Sequence, residues 1–463
     1  MSQLLCPTTL CPVEFTATRS TKSRAIVLVK EGEKQYFADE PRVNSWVEAN
    51  HFTGKNGQIL LVPDDNGEPA KVFFGLGAGT DQFITGNLPG SLPEGEWHFE
   101  NLPENPFNLF LGLALGSYKF SRYLKDKNNK VLKFNVPADV DEKELKRIID
   151  TTFLVRDLIN TPTNDMEPDT IEAAIRELGR TFGASVKSIC GDELLSKNFP
   201  MVHAVGRAGS VAPRIIDLNW GHENHPKVTL VGKGVAFDSG GLNIKSPNGM
   251  LLMKKDMGGA ANVTGLARLI MDAKLPVRLR LIIPAVENSI SGNAFRPGDV
   301  LKSRKGLSVE IGNTDAEGRL ILADALAYAD EEKPDYLFDM ATLTGAARVA
   351  LGPDISPFYC TNEKLGEKIS RLAMAIQDPL WQLPLWKPYE AKLVSRIADL
   401  NNVTSDGFAG SIIAALFLDK FVNQAKNWGH FDIYGWTPSE KPGFPVGGEA
   451  QGIRALYTLL KDL

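Results

Sequence analysis

Two stretches of this chain gather side chains of the kinds that do chemistry. In VGKGVAFDSGGLNIKSPNGMLLMKKDMGGAANV, residues 231–263, Lys233 and Asp238 follow an apolar run, and Gly240, Gly241 and Lys245 come next. Asp256 then stands just ahead of Gly258 and Gly259. In VEIGNTDAEGRLILADAL, residues 309–326, Asp315, Glu317 and Arg319 alternate where a strand gives way to a helix, which sets three charged groups on one side. Asp238, Asp256, Asp315 and Glu317 carry four negative charges, and burying them near one another without partners is prohibitive. Two divalent cations would neutralise them. Hard oxygen ligands suit zinc, manganese, magnesium or cobalt, and all six histidines, at 51, 98, 203, 222, 225 and 430, lie outside both stretches.

A metal pair roughly 3.5–4 Å apart binds a bridging water, lowers its pKa toward neutrality and polarises a carbonyl. That is hydrolytic machinery. Lys245 then serves as the electrophile facing a developing oxyanion, and Arg319 as an anchor for an anion or for the substrate. Taken singly, each feature also has a plain structural reading: a solvated turn for Asp315 to Arg319, a surface lysine after a strand for Lys233, a loop lysine for Lys245. Other chemistries lack their motifs. There is no G-x-S-x-G elbow, no H-E-x-x-H and no G-x-x-x-x-G-K-[ST] phosphate loop. Gly75, Gly77 and Gly79 follow an apolar strand, but Thr80 stands where a dinucleotide fingerprint needs its last glycine, so a tight turn is expected.

The elements that must position these residues can be read from the apolar pattern. At 463 residues the chain exceeds what one core usually supports, and two domains are expected. Residues 1–136 mix short β-rich runs (AIVLVK, QILLVP, KVFFGLG, VLKFNV) with turn-forming clusters (PDDNGEP, NLPGSLPEGE) and predict a smaller N-terminal α/β domain. Residues 137–162 predict a linker helix, with Leu145, Ile148, Ile149, Thr152, Val155, Leu158 and Ile159 at helical spacing, Asp139 or Asp141 as cap and Pro162 after its end. Residues 163–463 alternate strand-like runs (KVTLVGKG, RLRLIIPAVE, DYLFDMATL) with helical ones (AANVTGLARLIMDAKL, RLILADALAYADEE). This predicts a larger C-terminal catalytic α/β domain whose mixed, largely parallel sheet is flanked by helices. In such sheets functional groups collect at the carboxyl ends of strands.

A formal charge of −5 gives no electrostatic reason to expect nucleic acid. The start lacks the order of a signal peptide, and no apolar run is long enough to cross a bilayer, so a cytoplasmic location is expected. Cys6, Cys11, Cys190 and Cys360 are too few and too scattered for a disulfide framework, and Cys6 and Cys11 have no second pair at zinc-site spacing.

Together the two stretches resemble the signatures of the leucine aminopeptidase family, the cytosol aminopeptidases with two metals. NTDAEGRL runs intact from Asn313 to Leu320, and GKGVAFDSGG, the NIK around Lys245 and the KDMGGAA around Asp256 match in order and spacing. The resemblance implies that Lys233, Asp238, Asp256, Asp315 and Glu317 are metal ligands, with Asp238 and Glu317 shared between the ions. It implies Lys245 and Arg319 as the catalytic pair: the lysine stabilises a tetrahedral diolate and the arginine holds a bicarbonate that acts as general base. Manganese or zinc is the first expectation for the metals. Through ENSISGNAFRPGDVLKSRKG and DMATLTGA the resemblance further implies Met253, Thr342, Leu343 and Gly345 around the substrate's first residue, with leucine-like residues preferred. Peptides with a free N-terminus as substrates and a homohexamer as the assembly follow from the same source. The family's threonine-glycine-arginine-proline-like segment is replaced here by KPGFPVGGEAQGIRALYTLL, residues 441–460. A catalytically inactive binding or scaffold homologue, and a two-metal phosphoesterase, are the competing readings.

Overall fold

A computed structural model describes residues 9–37, 40–125 and 130–463; Cys6 lies outside these. The chain divides into two units, one of residues 7–153 with 439–446, the other built mainly of 154–438 and 447–463.

In the smaller unit the apolar runs become a sheet. Its strands among the described residues are β1 (Val13–Thr16), β2 (Arg24–Lys30), β3 (Ile59–Pro63), β4 (Pro69–Gly77), β5 (Gly95–Phe99) and β6 (Leu132–Asn135), in the order β1-β6-β5-β2-β4-β3. All pairs are parallel except β3 against β4 at one edge. The unbroken apolar runs of β2 and β4 suit strands covered on both faces, and helix Pro41–Ala49 packs Val43 and Val47 onto Val27, Val29 and Phe73. Gly77 and Gly79 both take positive φ where β4 ends, in a tight turn. The segment NLPGSLPEGE is more ordered than expected, giving a short helix Leu88–Ser91 and the start of β5.

The amphipathic pattern after residue 137 forms helix Glu142–Asn160. Asp141 caps it, its Oδ1 accepting from the Glu144 N–H at 3.0 Å. The division between units falls inside this helix, after Phe153. Near its end Arg156 is fully buried and pairs with Glu449 of the C-terminal segment, Nη2 to Oε2 at 2.9 Å.

The larger unit contains β7 (Ser185–Cys190), β8 (Arg214–Trp220), β9 (Lys227–Gly232), β10 (Gly234–Asp238), β11 (Arg278–Asn288), β12 (Val300–Lys302), β13 (Ser308–Glu310), β14 (Tyr336–Ala341), β15 (Ser356–Cys360), β16 (Leu380–Gln382), β17 (Leu400–Asn401) and β18 (Trp428–Asp432). The main sheet runs β16-β15-β18-β14-β9-β11-β8-β7, with β10 also paired to β11; β12, β13 and β17 form a small separate sheet. Its centre, β18-β14-β9-β11, is parallel, and antiparallel pairs lie toward both sides, so the sheet is mixed and largely parallel as the alternation predicted. Helix Glu317–Asp330 is buried almost all round, with Leu320, Ile321, Leu322 and Leu326 inside the main core.

This topology aims polar residues at one place. From β9 the chain crosses through β10 and helix Gly258–Asp272 to β11 on one side, while β14 and β18 lie on the other. The crevice at such a reversal, outside the carboxyl ends of the strands, is where α/β sheets bind ligands. Asp238, Asn288 and Asp432 are the last residues of β10, β11 and β18, and Lys233 and Thr342 directly follow β9 and β14.

Candidate metal centre

Local structure brings the two motif stretches against each other. Lys233 leaves β9 and lies across the start of helix Glu317–Asp330, where a Cβ on Gly318 would fall 2.6 Å from the lysine Cε; only glycine leaves that space. Gly240 and Gly241 take φ of +87° and +63°, the left-handed region that folds the loop after β10 back on itself. The Lys245 N–H therefore returns to the Ser239 carbonyl, at 2.9 Å. Thr314 joins the stretches: its hydroxyl donates to Gly240 O at 2.7 Å and accepts from the Asn243 N–H at 2.8 Å. Asn288 donates to both, to Asp238 Oδ1 at 2.8 Å and to Thr314 O at 3.1 Å.

The charges that converge are unequal in how well they are partnered. Asp238 accepts from the Gly240 N–H at 2.8 Å, and its Oδ2 lies 2.9 Å from Lys245 Nζ, which also pairs with Asp315. Lys233 Nζ donates to Thr342 O at 3.0 Å and stands 2.8 Å from Asp256 Oδ2 and 2.9 Å from Glu317 Oε1. Those last contacts are ionic but not aligned: Asp256 Oδ2 and Glu317 Oε1 are buried and accept no hydrogen bond. Asp238, Asp315 and Glu317 each direct an oxygen to within 4.8 Å of the others. Burial, reinforced by the Asp238 charge, lifts Glu317 to about 8 and Asp315 to about 6, while Asp238 is held below the usual carboxylate range because Lys233 and Lys245 outweigh its burial. Burial opposes the charge of both lysines too, but the carboxylates facing them prevail and raise both. Carboxylate oxygens converging at one place, two of them without an aligned donor, are a ligand set that suits a hard divalent cation.

Every site residue named from the sequence reaches this cavity. Lys233, Asp238, Lys245, Asp256, Asp315, Glu317 and Arg319 line it together with Met253, Thr342, Leu343 and Gly345. Thr342 also holds Asp256, its hydroxyl donating to Oδ1 at 2.8 Å. Arg319 gives one bond to Asn402 O at 2.7 Å and keeps a buried Nε without a partner; burial, against the pull of Glu317 and Asp432, lowers it to about 10. Asp315, Glu317 and Arg319 arrive differently from expectation. They lie at the strand-to-helix junction that the sequence indicated, but Asp315 sits in a turn and the other two in the first turn of a helix, where residues two apart do not share one side. Sequence reasoning missed Asn288 and Asp432, although each is a polar residue closing a buried parallel strand, which is a usable signal. It also missed Lys255 and Arg348 of the cavity wall.

Sheet, crevice and acidic cluster describe a two-domain α/β protein with a candidate metal centre, and comparison with known proteins supplies the class, a peptidase. Residues 153–457 match the cytosol aminopeptidase family, catalytic domain, and residues 27–137 match the M17 aminopeptidase, N-terminal domain. The chain belongs to the cytosol aminopeptidase family. It is 36% identical over 453 residues to a probable cytosol aminopeptidase of Syntrophotalea carbinolica, covering 90% of each chain. A probable cytosol aminopeptidase of Roseiflexus castenholzii is 38% identical over 373 residues, 76% of this chain and 75% of the relative. The crystal structure of the cytosol aminopeptidase from Coxiella burnetii superposes with a TM-score of 0.92 at 43% identity, covering 97% of this chain and 99% of the other. The bottromycin maturation enzyme BotP, in complex with Mn, gives 0.86 at 28% identity over 96% and 99%.

Proposed function

We propose that this peptidase is a metal-dependent aminopeptidase that releases the first residue of peptides with a free N-terminus. The observation that carries the reading is the cluster in which Asp238, Asp315 and Glu317 converge within 4.8 Å while buried oxygens of Asp256 and Glu317 accept no hydrogen bond. Asp238, Asp256, Asp315, Glu317 and the amine of Lys233 would hold two divalent ions; the Mn-bound relative favours manganese, with zinc, magnesium or cobalt as alternatives. Bound there, such ions supply Lewis acidity and a water made nucleophilic at neutral pH. As a ligand Lys233 must be neutral, a state that neighbouring cations favour.

The remaining roles belong to the chain's own side chains. Lys245, held between Asp238 and Asp315, presents its ammonium to the oxyanion that develops when the scissile carbonyl is attacked. Arg319, anchored at Asn402 and with Nε unengaged, would hold an anion, which the family resemblance makes bicarbonate and which would supply a general base. Asp256, oriented by Thr342, receives the substrate's α-ammonium. Met253, Leu343 and Gly345 form walls for the first side chain. A cytoplasmic location and a homohexamer are carried over from the family, and light scattering on the purified protein tests the assembly. No described helix is long and apolar enough to cross a membrane.

The test compares leucine p-nitroanilide with p-nitrophenyl phosphate, in manganese and after chelation. Anilide turnover that chelation abolishes supports the aminopeptidase. Turnover of the phosphate ester alone would establish a phosphoesterase instead, and turnover of neither a scaffold.

A further inference from the structure

The cavity beside the carboxylates has two more cations in its wall, engaged neither by those carboxylates nor by the proposed catalytic pair. Lys255 is only 5% exposed and lines the cavity, and among the described residues its ammonium has no carboxylate at ion-pair distance and no hydrogen-bond acceptor. Its neighbour Lys254 is employed differently, donating to Asn160 O at 2.7 Å. Arg348 is half-buried, and its guanidinium also lacks an ion pair or hydrogen bond among the described residues. Both cations lie against one ring, Lys255 Nζ 5.0 Å and Arg348 Cζ 4.0 Å from the centroid of Tyr434. The backbone that carries the ring is held by the C-terminal segment: the N–H groups of Tyr434 and Gly435 donate to Gln451 Oε1 at 3.0 and 2.8 Å. Gln451 belongs to residues 441–460, the stretch that departs from the family pattern.

An aromatic face offsets far less than the desolvation of a buried ammonium costs. Two like charges sharing one ring also repel each other. An anion between them would relieve both costs, and its place is given by its neighbours: Met253 and Gly345 line the same cavity, with Gly345 directly beside the Arg348 guanidinium. These are the walls assigned above to the substrate's first side chain. The acidic cluster does not forbid a negative group there, because the cavity lining includes five basic side chains beside its four carboxylates.

We propose that the pocket accepts an acidic first side chain, so that the enzyme preferentially releases N-terminal glutamate or aspartate, with Lys255 and Arg348 as its specificity-determining residues. This deepens the aminopeptidase reading, rests on it, and replaces the leucine-like preference implied by the family.

Glutamine has the shape of glutamate without the charge, so the decisive quantity is the ratio of kcat/KM for α-glutamyl and α-glutaminyl p-nitroanilides, with leucyl p-nitroanilide alongside, on the manganese-loaded protein. Wild type is expected to favour glutamyl over glutaminyl by about tenfold or more. Lys255→Met and Arg348→Met are each expected to cut that ratio about fivefold or more, whatever happens to the absolute rates. A second readout needs no turnover: L-glutamate should raise the melting temperature more than L-glutamine does, and Arg348→Met should erase the difference. Leucyl turnover with a wild-type glutamyl-to-glutaminyl ratio near or below one overturns the acidic pocket and leaves the aminopeptidase standing. A ratio unmoved in both variants overturns the assignment of the two residues. Turnover of none of the three anilides removes the aminopeptidase reading and this one with it.

Discussion

Two buried groups of charged side chains sit on the same central sheet and are built on opposite principles. On β8 and β11, Asp217 accepts from Arg280 Nη2 at 2.7 Å and Nε at 3.1 Å, from the Tyr328 hydroxyl at 2.9 Å and from Asn219 Nδ2 at 2.8 Å. Arg280 also stacks on Tyr328, 4.2 Å from its centroid, and meets Glu332 at 3.3 Å. Each charge there has aligned partners. At the carboxyl ends of β9, β10 and β14, the buried carboxylates of Asp238, Asp256 and Glu317 crowd together beside Asp315, and Asp256 Oδ2 and Glu317 Oε1 meet only the misaligned Lys233 ammonium. Burial of charge is therefore common to a structural ion pair and to a reactive centre. What separates them is several carboxylates converging on one place with too few aligned donors, an arrangement that favours a bound cation.

The sharpest way to break this contrast is to remove one acid from the candidate centre. Glu317→Ala should lower kcat/KM by about a thousandfold or more and leave fewer than two manganese ions per chain, read by kinetics beside elemental analysis. Full rate with two ions retained would place Glu317 among structural charges. The converse change, Asp217→Ala, strands Arg280 in the interior and should cost about 3–5 kcal/mol in urea unfolding while kcat per folded molecule stays constant. A loss of rate without loss of stability would reverse the two assignments. Lys245→Ala should keep both ions and lose about 10²–10³ in kcat, the magnitude of one missing oxyanion donor; an unchanged kcat removes its electrophilic role.

The smallest effect is a slope with pH. In metal-free protein Glu317 is raised to about 8 and Asp315 to about 6, both above the ordinary values of 4.5 and 3.8 that apply once the chain unfolds. From about pH 4 to about pH 8 the folded chain thus keeps protons that the unfolded chain has released, so stability declines as pH rises through that window. Lys233 and Lys245, with raised pKa, are charged in both states throughout it and add no slope. After chelation, melting temperatures should fall between pH 5 and pH 8 more steeply in wild type than in Glu317→Gln. Equal slopes would show that the Glu317 carboxyl does not titrate there.

Only one side of this contrast was legible in the sequence, the candidate centre; the pairing of Asp217 with Arg280 was not. The parallel centre of the sheet follows from unbroken apolar runs alternating with helical ones, and the site follows from polar residues placed where those runs end. NTDAEGRL and GKGVAFDSGG are contiguous, so their residue types can be weighed directly. What stayed hidden depends on partners far off in the chain. Asn402, which holds Arg319, is set in place by pairing of β17 with β13, strands too short to show a period. β5 was concealed because Glu96 and His98 interrupt its apolar pattern within five residues. Lys255 reads as one more lysine in LLMKKDM, and nothing in that string tells which of the two neighbours faces the cavity.

The pairing of Arg156 with Glu449 also bears on how a working molecule comes to exist. A chain cut short before residue 449 would lose the carboxylate that the buried Arg156 faces. The contact forms only once residue 449 has been synthesised, so products that stop short of it, or molecules trimmed past it by other proteases, are expected to be less stable.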